Sequence, residues 1–323
     1  MDTTRAKRRV SPWLLAAILV TVALLAVGGV FAYYLVREEL PTLPMAEETE
    51  PAFAYSIYGV DEPLGLALSP DGNRLYVTER GGERYVRVFD PQGNLLMNLF
   101  PPDSTFRQPT YVAVNPWGYV YVNDLALEGL SIYSPEGEFL GLLNPAGEDE
   151  DRWRPMALAF DGEGNLYVTE LSPGLHRVQV FDHQNNLKLE FGSEGSGPGE
   201  FSFPNGIAVE QGGNIWVADS NNGRIQVFDP EGNLLAIHTV GGGRPLALPR
   251  GIAFDSRGEV LVADTLDHTV VVYSQEDLPM SSYTLGEYGA ENGQFRYPNG
   301  LAIDAEGHIY IADRDNNRVQ VFE

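Results

Sequence analysis

Pro298-Asn-Gly-Leu-Ala-Ile-Asp-Ala-Glu-Gly-His-Ile-Tyr-Ile-Ala-Asp313, continued by Arg314-Asp-Asn-Asn-Arg-Val-Gln-Val-Phe322, occurs a second time almost unchanged. The second copy is Pro204-Asn-Gly-Ile-Ala-Val-Glu-Gln-Gly-Gly-Asn-Ile-Trp-Val-Ala-Asp219 with Ser220-Asn-Asn-Gly-Arg-Ile-Gln-Val-Phe228. Looser copies begin at Pro63, Pro109, Pro155 and Pro249, so six prolines 45 to 49 residues apart open six units. A period of that length marks one supersecondary unit that buries its apolar faces against its neighbours.

Each unit reads as four short strands. In the fourth copy these are residues 206–209, 215–218, 224–228 and 234–238, separated by Gly- and Asn-bearing turns such as Glu210-Gln-Gly-Gly-Asn214 and Asp229-Pro-Glu-Gly-Asn233. Four-stranded units of this size are propeller blades, so the expected fold is all-β, a six-bladed propeller over residues 52–323. An alanine recurs in every first strand (Ala67, Ala113, Ala159, Ala208, Ala253, Ala302), where strands crowd the axis. A bulky residue recurs in every second strand (Tyr76, Tyr121, Tyr167, Trp216, Leu261, Tyr310), where the gap between blades widens. The sixth unit stops after its third strand, which would leave an open sheet edge. Ala52-Phe-Ala-Tyr-Ser-Ile-Tyr-Gly59 resembles the fourth strand Ser281-Ser-Tyr-Thr-Leu-Gly-Glu-Tyr-Gly289, so residues 52–58 are expected to complete the sixth blade beside residues 318–322.

The unit Phe201-Ser-Phe-Pro-Asn-Gly-Ile-Ala-Val with Ile215-Trp-Val-Ala-Asp219, Asn222-Gly-Arg224 and Ile225-Gln-Val-Phe228 resembles an NHL repeat, as does the copy from 295 to 322. The lead-ins Gly192-Ser-Glu-Gly-Ser-Gly-Pro-Gly-Glu-Phe201 and Gly286-Glu-Tyr-Gly-Ala-Glu-Asn-Gly-Gln-Phe295 fit the same pattern. The resemblance implies a blade architecture that serves as a binding platform, a sensor domain or, less often, an enzyme.

Ahead of the repeats, Arg5, Lys7, Arg8 and Arg9 form a basic stub (residues 1–12). An uncharged, mostly apolar run follows over residues 13–36. A helix of that length covers about 36 Å, enough to cross a hydrocarbon core. Trp13, Tyr33 and Tyr34 sit at its ends, and only Arg37 follows, beside Glu38 and Glu39. The charge bias places the N-terminus in the cytoplasm and the propeller outside, extracellular or periplasmic, on a single-pass anchor. The alternative is a signal peptide cleaved after Val30-Phe-Ala32, although the run exceeds a usual signal core. Residues 37–51, rich in Pro and Glu, read as an extended tether.

There is no cysteine, which excludes disulfides and thiolate metal sites. From residue 40 onward, 16 basic residues stand against 42 acidic ones, a formal charge of −26, so nucleic acid is not an expected partner.

In a four-stranded blade, loops entering strand one and loops joining strands two and three open on one face. Leu64, Thr110, Met156, Asn205, Arg250 and Asn299, each one residue after its repeat proline, form the channel mouth there. Every second strand ends in a carboxylate: Glu79, Asp124, Glu170, Asp219, Asp264 and Asp313. Such a carboxylate can accept turn N–H groups and pair with an arginine opening strand three. Four blades supply one (Glu79 with Arg84, Glu170 with Arg177, Asp219 with Arg224, Asp313 with Arg318), which leaves Asp124 and Asp264 as candidates for a ligand. Arg107, Arg152, Arg154, Arg244, Arg250 and Arg296 fall on the same face; they suit recognition of a carboxylate or acidic glycan, or pair with neighbouring acids. The expected binding set is therefore Asn205, Arg250, Asn299, Asp124, Asp264, Arg107 and Arg154, facing a protein, peptide or glycan.

The competing reading is a hydrolase or lactonase. Gluconolactonase-like propellers hold a divalent cation, such as calcium, through Glu, Asn and Asp, with Asn in a Pro-Asn-Gly context like Asn205 or Asn299; Glu62-Pro63 departs from their acidic motif. Amidating-lyase propellers use a His-ligated zinc, whereas His176, His183, His238, His268 and His308 occur singly here, with His183 and His308 in turns of the other face. No nucleophile elbow or phosphate loop is present. The expectation is a membrane-anchored binding or scaffolding domain without catalysis and without an obligate cofactor; an accessory subunit of a membrane complex is the third reading.

Overall fold

The computed structural model describes residues 51–101, 108–126, 129–145, 153–240, 243–274 and 282–323. The stub, the anchor and all but the last residue of the tether lie outside the described residues. Among the described residues, no helix is long and apolar enough to cross a membrane.

Six four-stranded antiparallel sheets follow one another in chain order. Blade one contains Pro63–Leu68, Leu75–Glu79, Val86–Phe89 and Leu95–Leu99; blade four contains Pro204–Val209, Ile215–Asp219, Arg224–Phe228 and Leu234–His238. The inner strands start at Pro109, Pro155, Pro249 and Pro298 in the other blades. Each repeat proline is thus the first residue of its strand, where its missing N–H costs no ladder bond. This is two residues earlier than the pattern suggested in blade four, because a bulge after Pro204 returns the strand to register at Gly206 with Ala218.

The recurrent alanine and the recurrent bulky residue are cross-strand partners: Ala67 opposite Tyr76, Ala113 opposite Tyr121, Ala208 opposite Trp216 and Ala302 opposite Tyr310. A small residue on the crowded inner strand thus lies beside a large one that fills the space toward the next blade. Trp216, for example, is buried with Ile252, Val262 and Val271 of blade five. The inner strands press together backbone to backbone. A Cβ on Gly206 would stand 1.7 Å from the Arg250 carbonyl, one on Gly251 2.4 Å from that of Asn299, and one on Gly300 2.4 Å from that of Leu64. Only glycine permits that approach, and the last contact joins blade six to blade one.

The ring is closed by the chain's two ends. Phe53–Ile57 pairs antiparallel with Arg318–Phe322, with Phe53 opposite Phe322 and Ile57 opposite Val319. Ala52 and Glu323 exchange backbone hydrogen bonds of 2.8 and 2.9 Å. Phe53 and Phe322 pack edge to face at 6.0 Å.

Candidate functional site

Loops entering the inner strands and loops leaving the second strands share one face, and hydrogen bonds run between blades along it. Leu246 N–H donates to the Gly223 carbonyl, Glu62 N–H to Asn317 Oδ1, and Tyr297 N–H to His268 Nδ1. Side chains at the ends of second strands reach the next inner strand: Thr78 Oγ1 donates to the Thr110 carbonyl at 2.9 Å, Asn123 Nδ2 to that of Met156 at 3.0 Å, and Thr265 Oγ1 to that of Pro298 at 2.8 Å. The mouth is therefore a braced rim rather than six independent loops.

On this rim Leu64, Thr110, Met156, Asn205 and Asn299 are buried and Arg250 is partly exposed. The Asn205 amide donates to Ser220 Oγ at 3.0 Å, and Ser220 Oγ in turn donates to the Pro249 carbonyl. Both amide atoms of Asn299, Arg250 Nε and the Tyr111 hydroxyl are buried without a protein partner.

The six strand-end carboxylates are all buried. Asp219 accepts from Ser202 N–H at 2.7 Å, Arg224 Nε at 2.8 Å, Asn222 Nδ2 and Gln226 Nε2; Asp313 is set identically by Arg296 N–H, Arg318, Asn316 and Gln320. Glu170 pairs with Arg177 at 2.6 Å. Glu79 pairs not with Arg84 but with Arg87, at 2.6 Å. Arg87 lies opposite Val77 as Gln226 lies opposite Val217, and Gln226 Nε2 likewise donates to Asp219, so the same register position serves the carboxylate in both blades. Asp124 accepts from Gln108 and Ala126 N–H at 2.9 and 2.8 Å, and Asp264 from Ala247 and Leu248 N–H at 2.9 and 2.7 Å. These two carboxylates are engaged in holding the lead-in loops.

That arrangement does not suit a divalent cation at the mouth. The carboxylates of Asp124 and Asp264 face backbone donors, and the two asparagines flank the cationic Arg250 on the intervening blade, so no step is built on a metal there. On the opposite face Asp304, Glu306 and His308 have ligand atoms within 4.8 Å of one another. Their geometry is that of the repeat turn. Asp304 Oδ1 accepts Glu306 and His308 N–H, Oδ2 faces His308 Nδ1 at 2.7 Å and accepts the Tyr310 hydroxyl, and Asp161 does the same with Glu163, Asn165 and Tyr167.

Asp264 and several exposed turn aspartates of the other face are shifted in opposite senses. Burial raises the Asp264 carboxyl above its ordinary value, against the pull of its two N–H donors. The exposed turns do the reverse: Ser69, Asn73 and turn N–H groups lower Asp71 to about 2, and similar bonds lower Asp90, Asp182 and Asp229. An acid raised on folding contributes stability below its unfolded value that is lost as pH rises through the folded one. A lowered acid contributes stability above its unfolded value that is lost as pH falls through the folded one. Carboxyl-detected NMR is expected to find Asp71 titrating near 2 and Asp264 above the usual aspartate range, and Asp264→Asn to flatten the stability profile over that window. Asp264 titrating like an exposed aspartate would refute this.

Of the predicted arginines, Arg107 and Arg152 lie outside the described residues. Arg244 pairs with Asp267 at 3.0 Å, and Arg296 lies 5.5 Å from the Tyr288 ring. Arg154 is exposed and lines a cavity of about 690 Å³ with Leu125, His176, Glu194 and Phe203. The aromatic part of this site was not anticipated. Phe203 precedes its repeat proline with φ 53°, Tyr297 with φ 55° and Glu62 with φ 46°. A left-handed bulky residue costs roughly 1–3 kcal/mol and persists where the surroundings enforce it. Here the conformation leaves Phe203 47% exposed, with Tyr58, Leu125, Leu175, Leu266 and Tyr288 also exposed on the same face. The sequence signal was the aromatic-Pro pair itself, in Phe203-Pro204 and Tyr297-Pro298.

The NHL repeat model matches residues 201–228, 246–273 and 295–322, the two near-identical copies and the looser copy of blade five. NHL repeat-containing protein 3 of Mus musculus is 28% identical over 173 residues, 49% of each chain. A probable peptidyl-alpha-hydroxyglycine alpha-amidating lyase, pgal-1 of Caenorhabditis elegans, is 27% identical over 189 residues, 51% of this chain and 53% of that one. The chain thus spans about half the length of these relatives. A streptogramin B lyase structure superposes with TM-score 0.60 at 14% identity, covering 85% of this chain and 96% of that one. The expectation of a domain without catalysis is corrected by these matches. The fold is one that enzymes use, and a lyase is among the relatives in sequence, so catalysis is open to this propeller.

Proposed function

The chain belongs to the NHL-repeat β-propellers, and on that premise we propose that its channel-mouth face docks a protein or peptide partner, with the ring held outside a membrane by residues 13–36. The observation that carries the reading is the asymmetry between the faces. The mouth presents exposed Phe203, Leu125, Leu266 and Tyr288 with Arg154 and Arg250, whereas the turns opposite are lined by acids such as Asp71, Asp161, Glu163 and Asp304. Aromatic side chains held out of the core and interspersed with arginine are the composition of interface anchors. The uncharged run and its basic flank support the membrane placement.

The test is retention of a partner by the full chain extracted from membranes in detergent. Phe203→Glu combined with Leu125→Glu is expected to lower retention about tenfold or more, the range of an interface hot spot. Leu140→Glu, on an exposed outer strand, should leave it unchanged. Equal loss with both variants, or a full chain found only in the soluble fraction, would refute the docking face or the anchor respectively.

Turnover of a small substrate in the same cavity is the second reading, favoured by His176. This residue is buried beside Phe203, with Nδ1 3.3 Å from the Phe201 carbonyl, in a cavity that also holds Arg154. An imidazole moving a proton next to a guanidinium that holds an anion is a workable pair. A ligand recovered chemically altered from the wild type and unaltered from His176→Gln would favour this reading over docking.

A further inference from the structure

Three side chains of the inner strands carry buried polar atoms without a protein partner. Arg250 and Asn299 occupy the same register on adjacent inner strands, and Gly251, next to Arg250, abuts the Asn299 carbonyl. Arg250 Nε and both Asn299 amide atoms are buried without a protein partner, as is the Tyr111 hydroxyl. Tyr111 belongs to blade two, opposite blade five in a ring of six, yet the Arg250 charge acts on its phenol; burial raises that phenol and Arg250 lowers it. The two inner strands lie on opposite sides of the channel, near enough for the Arg250 charge to act on the phenol.

The sequence at this register supports a special role. Gly65, Gly206, Gly251 and Gly300 occupy the place of Tyr111 in four other blades, and Ala157 in the remaining one. The tyrosine is therefore an exception at a position that packing otherwise keeps small. Arg250 also stands apart from the arginines that brace the strand ends. Arg87, Arg177, Arg224 and Arg318 each pair with a strand-end carboxylate, whereas Arg250 forms no ion pair with a described residue in a domain of strongly negative charge.

Leaving buried polar atoms unsatisfied is costly, and such groups cluster where a ligand completes them. The set is rich in donors: a guanidinium, an amide NH₂ and a phenol, with one amide oxygen as its acceptor. A planar guanidinium matches the two oxygens of a carboxylate, and its positive charge disfavours a cation beside it. We propose that Arg250, Asn299 and Tyr111 form a carboxylate-binding site in the channel mouth, entered from the partly exposed guanidinium, that takes a carboxylate borne by whatever docks on this face. This rests on the docking reading above and names its chemistry.

The test uses the full chain in detergent and small probes. N-acetylglycine presents a main-chain terminal carboxylate, N-acetylaspartic acid α-amide a side-chain carboxylate, and N-acetylglycinamide none; sodium sulfate is the tetrahedral control. Calorimetry and the ¹⁵N Arg Nε–H spectrum are expected to show saturable binding of one or both carboxylates, with the stronger identifying the source, and none for the amide. Arg250→Gln should weaken it about tenfold or more, as loss of a charge-assisted pair does. Tyr111→Phe, which keeps the ring, should weaken it severalfold, as should the near-isosteric Asn299→Asp through charge repulsion. Absence of saturable carboxylate binding, sulfate binding as tightly, or binding unchanged in both Arg250→Gln and Asn299→Asp would overturn the site. Failure here with Phe203-dependent partner retention intact would remove the carboxylate site alone, whereas loss of that dependence would remove the docking face.

Discussion

Removing residues 52–57 from the full chain is expected to abolish cooperative unfolding of the ring and to convert a monodisperse protein into oligomers. The deletion strips the outer strand from blade six, leaving Arg318–Phe322 as an open edge whose unpaired N–H and C=O groups template association. It also breaks the seam to blade one. Ile57 is buried in one cluster with Leu75, Val77 and Phe89 of blade one and with Tyr310, Val319 and Val321 of blade six, and Tyr55 donates its hydroxyl proton to the Pro91 carbonyl. Ile57→Ala isolates the packing part of this effect. A buried Ile truncation costs about 2–5 kcal/mol, and at roughly 2–4 °C per kcal/mol for a large domain the melting temperature should fall by about 4–20 °C. Circular dichroism melts and size-exclusion chromatography read both effects. A deletion variant that stays monomeric and melts like the wild type would show that closure lies elsewhere.

That strand was legible because its alternation matches other fourth strands and because the last unit visibly lacks one. The Ala–Tyr partnership was legible for a related reason: cross-strand neighbours sit at a nearly constant sequence offset, nine residues for Ala67 and Tyr76 and eight for Ala302 and Tyr310. What escaped depends on contacts that the repeat pattern does not specify. Glu79 takes its arginine from the register position that Gln226 fills beside Asp219 in blade four, not from the one that Arg224 fills. The effect of the Arg250 charge on Tyr111 joins inner strands of opposite blades, which no spacing in the sequence announces. The exposure of Phe203 follows from a left-handed φ that propensity rules disfavour before proline and that the Ser220 N–H bond to the Phe203 carbonyl helps to hold. Blade five was read as degenerate because Leu261 and Thr269 replace the aromatic and the arginine, although its register is the same as in blade four.

Asp313→Ala is expected to destabilise the ring more than Asp264→Ala, although both aspartates end a second strand and both are fully buried. Asp313 holds Arg318 at 2.8 Å, and the Arg318 side chain is only 5% exposed. Removing the carboxylate leaves a buried guanidinium uncompensated, which costs about 3–5 kcal/mol. Among the described residues no arginine bonds to Asp264; Arg244, whose charge acts on it, pairs with Asp267. Its loss leaves the N–H groups of Ala247 and Leu248 without acceptors, about 1–3 kcal/mol each, and this is partly offset because burial already disfavours its charge. The double variant Asp313→Ala with Arg318→Leu, which removes both charges, should recover part of the loss, a coupling that urea unfolding of the four-member cycle measures. The difference reaches the candidate site. Arg318 Nη2 also donates to the Glu291 and Gln294 carbonyls at 2.7 and 3.0 Å, and Asp313 accepts from Arg296 N–H, so this pair fixes the loop that carries Arg296 and Tyr297 to the mouth. Asp313→Ala should therefore loosen partner retention as well as the fold, while Asp264→Ala acts on the loop entering Arg250. Equal destabilisation by the two substitutions, or a double variant no better than Asp313→Ala alone, would mean that the arginine contributes nothing to the bracing of this face.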